Sequence, residues 1–370
     1  MATMTKKQQV SILQEKISKK VDAQQSNVVK TLQEIETEGL GITDFIAPIG
    51  ALNNKVSMDF HSNGKLKMRL GKDMYGINDH AVAQAGTKLG IPTKYIKDLA
   101  KGDKWSRDLA AEILNEHSLH TNRSRVLVRS VGNQIRGILS DKYRRLNTPE
   151  IYSQFLTAVY KNGGVVIDAH VDETRSFIET IIPTVMPIQT EKNGTVCVVF
   201  GARIGSSDYG DGALDVRTFM MQAVCLNGMV RNSIINQKHL GSRLPDDILL
   251  SEATYKKDTA AQASLVNDVV GQLMSKENLQ KEAASIQKSA ETEIDIDNEI
   301  KKLSNKGILK TEVGLIETVL KSGRENDGVQ GEPTMWKLTQ AMTAVARDHE
   351  NGRRAREIQE IAGNLLVNVK

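Results

Sequence analysis

The stretch Ser124–Ser140 constrains this chain more than any other. Ser124-Arg125-Val126-Leu127-Val128-Arg129-Ser130-Val131 runs into Gly132-Asn133 and returns as Gln134-Ile135-Arg136-Gly137-Ile138-Leu139-Ser140. Two β-rich runs joined by two turn-forming residues read as a tight hairpin. A two-residue loop sets the expected register, with Val131 facing Gln134, Arg129 facing Arg136, Leu127 facing Ile138 and Arg125 facing Ser140. Alternation then gives a core face of Val126, Val128, Ile135 and Leu139. The other face carries Arg123, Arg125, Leu127, Arg129, Arg136 and Ile138. Opposed arginines repel by a few tenths of a kcal/mol up to about 1 kcal/mol. Something anionic must face them, either neighbouring Asp and Glu side chains or a phosphate ligand.

Basic residues crowd the same region. Between Thr121 and Arg145 stand Arg123, Arg125, Arg129, Arg136, Lys142, Arg144 and Arg145 against one acid, Asp141, although the whole chain nets only +4. With Tyr143 they form the candidate nucleic-acid-binding set. The overall pI near 8.8 is too mild to point there alone. Aromatic residues make up only 4% of the chain, which argues against extensive base stacking and leaves Tyr143 and Tyr209 as the well-placed rings.

Around this centre the chain divides into five parts. A helical N-terminal arm (1–40) has an apolar stripe at Val10, Leu13, Ile17, Val21, Val28, Leu32 and Ile35, suited to packing on its own domain or to oligomerisation. A mixed region (41–120) holds a turn at Asn63-Gly64 and helices over Asn78–Leu89, Thr93–Ala100 and Ser106–His117. The sheet-containing core (121–245) continues with a helix over Thr148–Tyr160 capped by Thr148, then strands over Val165–Val171, Ser176–Ile182 and Thr195–Arg203. The glycine-rich loop 205–212 lacks the spacing of a P-loop or a dinucleotide site. A short strand over Ala213–Arg217 and a helix over Thr218–Leu226 follow, and Arg231, Lys238, His239 and Arg243 make a second thin basic run. A helical region (246–331) ends in a linker at Gly323–Glu332, and C-terminal helices (332–370) carry Met335, Trp336, Leu338, Met342 and Val345 on one stripe. The fold class is α+β, with a mostly antiparallel sheet within 121–245 and packed helices.

Chemistry is sparse. Cys197 and Cys225 form no CxxC pair, so neither a zinc site nor a disulfide framework is expected. His117 and His120 lack a third ligand. Asp168, His170 and Asp172 share one side of a strand, which allows a metal-dependent nuclease as one reading and a solvated strand face as the other. With no catalytic motif, no cofactor, no apolar N-terminal leader and no apolar run of 18 residues, the expectation is a non-enzymatic cytoplasmic protein.

The run Ile135–Asn147, then Gly210-Asp211-Gly212-Ala213-Leu214, then Val224–Val230 with His239-Leu240-Gly241, and later Thr334-Met335-Trp336, resembles the phage and plasmid proteins catalogued as domain of unknown function 932. The resemblance covers roughly residues 75 to 365, and the segment Ile204–Tyr209 departs from that family's pattern. It implies a mobile-element origin in a bacterial host and raises the expectation of nucleic-acid work. A hairpin-rich sheet backed by a helix is also similar to the core of single-strand annealing proteins, a fold-level analogy. The leading expectation is a single-stranded-DNA-binding protein, possible as a homo-oligomer, in recombination, annealing or DNA protection. A phage structural or assembly protein is the alternative.

Overall fold

The computed structural model describes residues 6–50, 55–238, 248, 250–322, 329 and 331–367. Its fold is α+β, with two mostly antiparallel sheets and, among the described residues, eleven α-helices. The chain opens with α1 (Lys6–Leu40). All seven residues of its apolar stripe pack on the body of the same chain, Ile17 against one group of strands and Val28 and Ile35 against helices further along.

The first sheet contains β1 (Ile42–Pro48), β2 (Val56–Phe60), β3 (Leu66–Leu70), β4 (Asp73–Ile77), β5 (Arg125–Val131) and β6 (Gln134–Ser140), in spatial order β1-β5-β6-β4-β3-β2. Only β4 and β6 run parallel. Between β4 and β5 the chain forms α2 (Asp79–Leu89), α3 (Thr93–Ala100) and α4 (Lys104–His120), which cover one face of the sheet. Asn78 caps α2 and Asp103 caps α4, each accepting a bond from a first-turn backbone N–H. Sheet and three helices form the first lobe, so the hairpin belongs with the residues before it.

The hairpin turns where expected, with Val131 opposite Gln134 and Ser130 opposite Ile135. A bulge then leaves Arg136 out of the pairing, and Arg129 faces Gly137. One residue of slip exchanges the faces of everything beyond it. Ile138 therefore joins Val126, Val128 and Ile135 beneath the helices, while Leu139 joins Leu127 and Tyr143 on the opposite side. The expected Arg129–Arg136 opposition does not occur.

The second sheet contains β7 (Val165–Val171), β8 (Ser176–Ile181), β9 (Met186–Thr190), β10 (Gly194–Ser206), β11 (Leu214–Gln222) and β12 (Gly228–Gln237). Its order is β12-β11-β10-β8-β7, with β9 paired to the first half of β10. Strands of residues 121–245 are thus shared between two sheets. The helix expected over Thr218–Leu226 is instead most of β11 and the turn after it. Met220 faces one core and Phe219 and Met221 the other, so burial on both faces erases the alternation that would have marked a strand. Leu226, at φ +57°, turns the chain into β12.

Preceding this sheet is α5 (Thr148–Lys161), which starts after Asn147; the Thr148 hydroxyl bonds to Ser206 instead of capping the helix. After the sheet come α6 (Glu252–Leu273), α7 (Lys276–Glu291), α8 (Ile296–Leu303), α9 (Lys310–Ser322), α10 (Met335–Arg347) and α11 (Gly352–Val367). The α10 helix is the hub, with Trp336, Leu338, Ala341 and Met342 buried among the other C-terminal helices and the β10 residues Val196, Val198 and Phe200. Most of the expected linker at 323–332 lies outside the described residues, as do His239 and Arg243 of the second basic run.

Candidate nucleic-acid interface

The arginines of the hairpin region lie where the two lobes meet. Arg129 is only 4% exposed and makes a two-pronged bond to Asp44 on β1, at 2.8 and 3.1 Å. Its third bond, at 2.8 Å, goes to the backbone carbonyl of Asp208. Burial disfavours the guanidinium charge, and the Asp44 carboxylate more than offsets it, so the pKa stands above the ordinary arginine value. The pairing follows from the register, in which Asp44 sits directly opposite Arg129.

Other members of the set also meet carboxylates. Arg125 bonds Asp141 at 2.7 Å, Arg136 reaches Glu38 of α1 at 2.7 Å, and Arg145 lies 3.5 Å from Asp44 and over the Tyr255 ring. Arg144 forks onto Asp258 of α6. Arg123 is exposed and Lys142 half-buried. Tyr143 is buried and donates to the Ser207 carbonyl, and burial holds its hydroxyl pKa above the usual phenol value. Of the two anionic partners open to the hairpin, internal carboxylates occupy Arg125, Arg129, Arg136, Arg144 and Arg145. Arg231 is likewise buried, against Glu282 and Ser285.

The glycine-rich loop between β10 and β11 is the clasp that brings these groups together. Tyr209 inserts between α1 and α2: its hydroxyl donates to Glu38 at 2.8 Å, and its carbonyl accepts from Gln84 and meets His80. Arg129, Tyr143, His80 and Gln84, all of or next to the first lobe, hold the backbone carbonyls of Ser207, Asp208 and Tyr209. Burial raises the Asp208 carboxyl to about 6 in spite of Arg129 nearby. The loop is therefore an inter-lobe tie built from its own carbonyl oxygens.

The acidic strand face of β7 is also occupied. Asp168 lies 3.4 Å from Arg356 of α11, and Asp172 accepts backbone bonds from Thr174 and Arg175. Among the described residues no three His, Cys, Asp or Glu side chains converge as a metal site would require.

Exposed positive charge with open aromatic rings gathers elsewhere, on the corner formed by α3, its three-residue turn and α4. Lys94-Tyr95-Ile96-Lys97-Asp98-Leu99-Ala100-Lys101-Gly102-Asp103-Lys104-Trp105-Ser106-Arg107 places five cations around two rings. Trp105 is 68% exposed and Tyr95 49%, whereas Ile96 beneath them is buried in the lobe. Lys94 and Lys101 stand in solvent. Lys97 and Lys104 pair with Asp79 and Asp108 at the surface, where screening leaves such pairs weak. Arg107 bonds the Gly102 carbonyl and so stiffens the turn. Residues 41–145 carry eighteen Lys and Arg against ten Asp and Glu, so the first lobe is the basic half and the remainder is net acidic. The sequence interleaves lysines and aromatics over 94–107, a pattern that the denser arginines of the hairpin overshadow.

No protein-family model, no curated protein and no solved structure matches this chain.

Proposed function

We propose that the chain is a non-enzymatic nucleic-acid-binding protein, with single-stranded DNA its favoured ligand, and that it binds through the α3–α4 corner. The observation that carries this reading is Trp105, an indole two-thirds exposed among Lys101, Lys104 and Arg107. Proteins that hold single strands without sequence preference combine cations that follow the phosphates with aromatic faces on which bases stack. The corner offers both on a rigid support, because α3 and α4 are anchored by Ile96, Ala110 and Leu114 in the lobe core. The hairpin arginines hold the two lobes together behind it. A phage or plasmid setting belongs to the same proposal, supported by the resemblance to the family of unknown function, and a role in annealing or protection by the fold-level analogy with annealing proteins.

The chain's two tryptophans supply the test. Trp336 is 2% exposed in the C-terminal core, so quenching by added oligonucleotide reports on Trp105. Titration with a single-stranded oligonucleotide should quench saturably and weaken steeply as salt rises. Trp105→Phe should keep binding, followed by anisotropy of a labelled strand, but lose the quench. No binding by the unmodified protein at low salt would overturn the reading and leave Trp105 as an anchor for a protein partner, as in an assembly role.

A further inference from the structure

The face of the first sheet turned away from α2, α3 and α4 is closed at one end and open at the other. Over β1, β5 and β6 the second lobe covers it: Leu127, Leu139 and Tyr143 are buried there, and a Cβ on Gly137 would stand 3.4 Å from the Tyr209 Cα. Over β2, β3 and β4 it meets solvent. Alternation sends Val56, Met58, Leu66 and Met68 into the lobe core and turns Ser57, Asp59, Arg69 and Met74 outward, all four exposed.

Cations run in single file along the middle strand of this open face. Lys67 and Arg69 lie on β3 with Lys65 just before it, whereas the residues paired with Lys67 and Arg69 are Asp59 and Ser57 on β2 and Gly76 and Met74 on β4. Lys65 and Arg69 are exposed and meet no carboxylate among the described residues, and Lys67 lies 3.1 Å from Asp59. Same-face side chains two residues apart on a strand stand about 6.6 Å apart, close to the step between neighbouring phosphates of an extended single strand. A protein partner fits this face poorly. Met74 is the one exposed large hydrophobic residue of β2, β3 and β4, and an isologous contact with a second copy would set the cations against themselves. Strand addition at β2 is blocked, because the Asn115 side chain takes both the N–H and the carbonyl of Met58, as a neighbouring strand would.

The open face is continuous with the α3–α4 corner. Its β2–β3 turn packs on the end of α3, where Gly64 has φ +78° and a Cβ would stand 2.4 Å from the Ala100 carbonyl oxygen. Asp59 lies within electrostatic reach of Lys104 in the corner as well as beside Lys67. We infer that a bound single strand runs on from Trp105 over the β2–β3 turn and along β3, with Lys65, Lys67 and Arg69 meeting successive phosphates. One file of cations serves one backbone, so the path suits a single strand better than a duplex. Asp59 stands beside the path and opposes it. The inference rests on the nucleic-acid reading of the corner and gives that strand its direction across the lobe.

Anisotropy of a labelled single strand of about twenty nucleotides, longer than common single-strand footprints, tests it on the full chain across a range of salt. Arg69→Gln should flatten the slope of log affinity against log salt by about 0.7. Arg123→Gln removes another exposed cation of the same lobe, beyond the far end of α4, a helix about 25 Å long. It should leave the slope unchanged. Asp59→Asn keeps the Oδ1 that accepts from the Phe60 N–H and should tighten binding, a gain that no folding defect produces. At low salt the gain should be about threefold, and it should fade as salt screens the carboxylate. Equal slope changes for Arg69→Gln and Arg123→Gln, or an Asp59→Asn protein that binds no tighter, would overturn the inference; if Trp105 is still quenched, the corner survives. The Arg69 and Asp59 effects without quenching of Trp105 would keep the path along β3 and remove the corner. No binding by the unmodified protein at low salt removes both.

Discussion

Arg129 and Lys101 are cations of the same lobe, less than thirty residues apart in sequence, yet one is clamped between Asp44 and the Asp208 carbonyl while the other stands in solvent at the end of α3. The hairpin and the α3–α4 corner differ in the same way throughout. On the hairpin side Arg125 finds its acid nearby in Asp141, and the other acids come from distant parts of the chain: Glu38 from α1, Asp44 from β1, Asp258 from α6. Around the corner the acids are local, exposed and outnumbered. A cluster of arginines therefore says little about ligands until the partners brought by the fold are known. Exposed lysines around an open indole are harder to explain by folding alone.

The largest effect that would test this contrast is on stability. Replacing Arg129 by Ala leaves the Asp44 carboxylate at the lobe junction with only Arg145, 3.5 Å away, to face it. Breaking a buried pair from one side costs about 3–5 kcal/mol, and the remaining arginine should hold the loss to about 3 kcal/mol, read as a lower urea midpoint. Oligonucleotide affinity per folded molecule should be unchanged. An Arg129→Ala protein of normal stability that no longer binds DNA would reverse the roles of the two regions.

Next in size is a pH effect at the same junction. Burial raises the Asp208 carboxyl to about 6 from an ordinary value of 3.8. The folded state thus holds the proton more tightly than the unfolded state between those values. The ionised carboxylate then costs stability above pH 6, and the cost fades as pH falls toward the unfolded value. Its ceiling is about 3 kcal/mol, from 1.36 kcal/mol per pKa unit. Asp208→Asn, which cannot ionise, should be more stable than the unmodified protein at pH 8 and nearly equal to it at pH 4, as followed by denaturant melts across that range. A gain of the same size at both ends would mean that the carboxylate is already ionised or solvated throughout.

At the corner the order of effects inverts. Trp105→Ala should lose about 1–3 kcal/mol of single-strand affinity, the worth of one stacked base. Stability should move by no more than about 0.5 kcal/mol, because the side chain is exposed. Unchanged affinity would leave the indole without a role in DNA contact.

Why the sequence revealed one region and concealed the nature of the other is a matter of range. The turn at Gly132-Asn133, the start of α2 at Asn78 and the bounds of α3 depend on neighbours in the chain, and each was legible. The bulge at Arg136 was not, because nothing local distinguishes a skipped residue from a paired one; it moved Ile138 and Leu139 to opposite faces. Thr218–Leu226 was misread because Phe219, Met220 and Met221 are all buried, and a short apolar run has no period to separate strand from helix. The charge partners were hidden for a related reason. Glu38 and Asp258 lie roughly a hundred residues from the arginines they neutralise, a separation that only the tertiary fold closes.

The smallest effect is the most specific. Lys101 stands at the turn between α3 and α4, and a lysine that neutralises one backbone phosphate of a single strand contributes about 0.7 to the slope of log affinity against log salt. Lys101→Ala should therefore weaken binding by a similar amount for every sequence tested and flatten the salt slope by that increment. Arg125→Ala, whose guanidinium is held by Asp141 at 2.7 Å, should leave the slope unchanged. The paired experiment separates cations that meet phosphates from cations that hold the protein together, since both variants remove one positive charge and so shift the net charge equally. If both flatten the slope alike, the long-range field of the basic lobe accounts for binding, and no particular surface of it is the site.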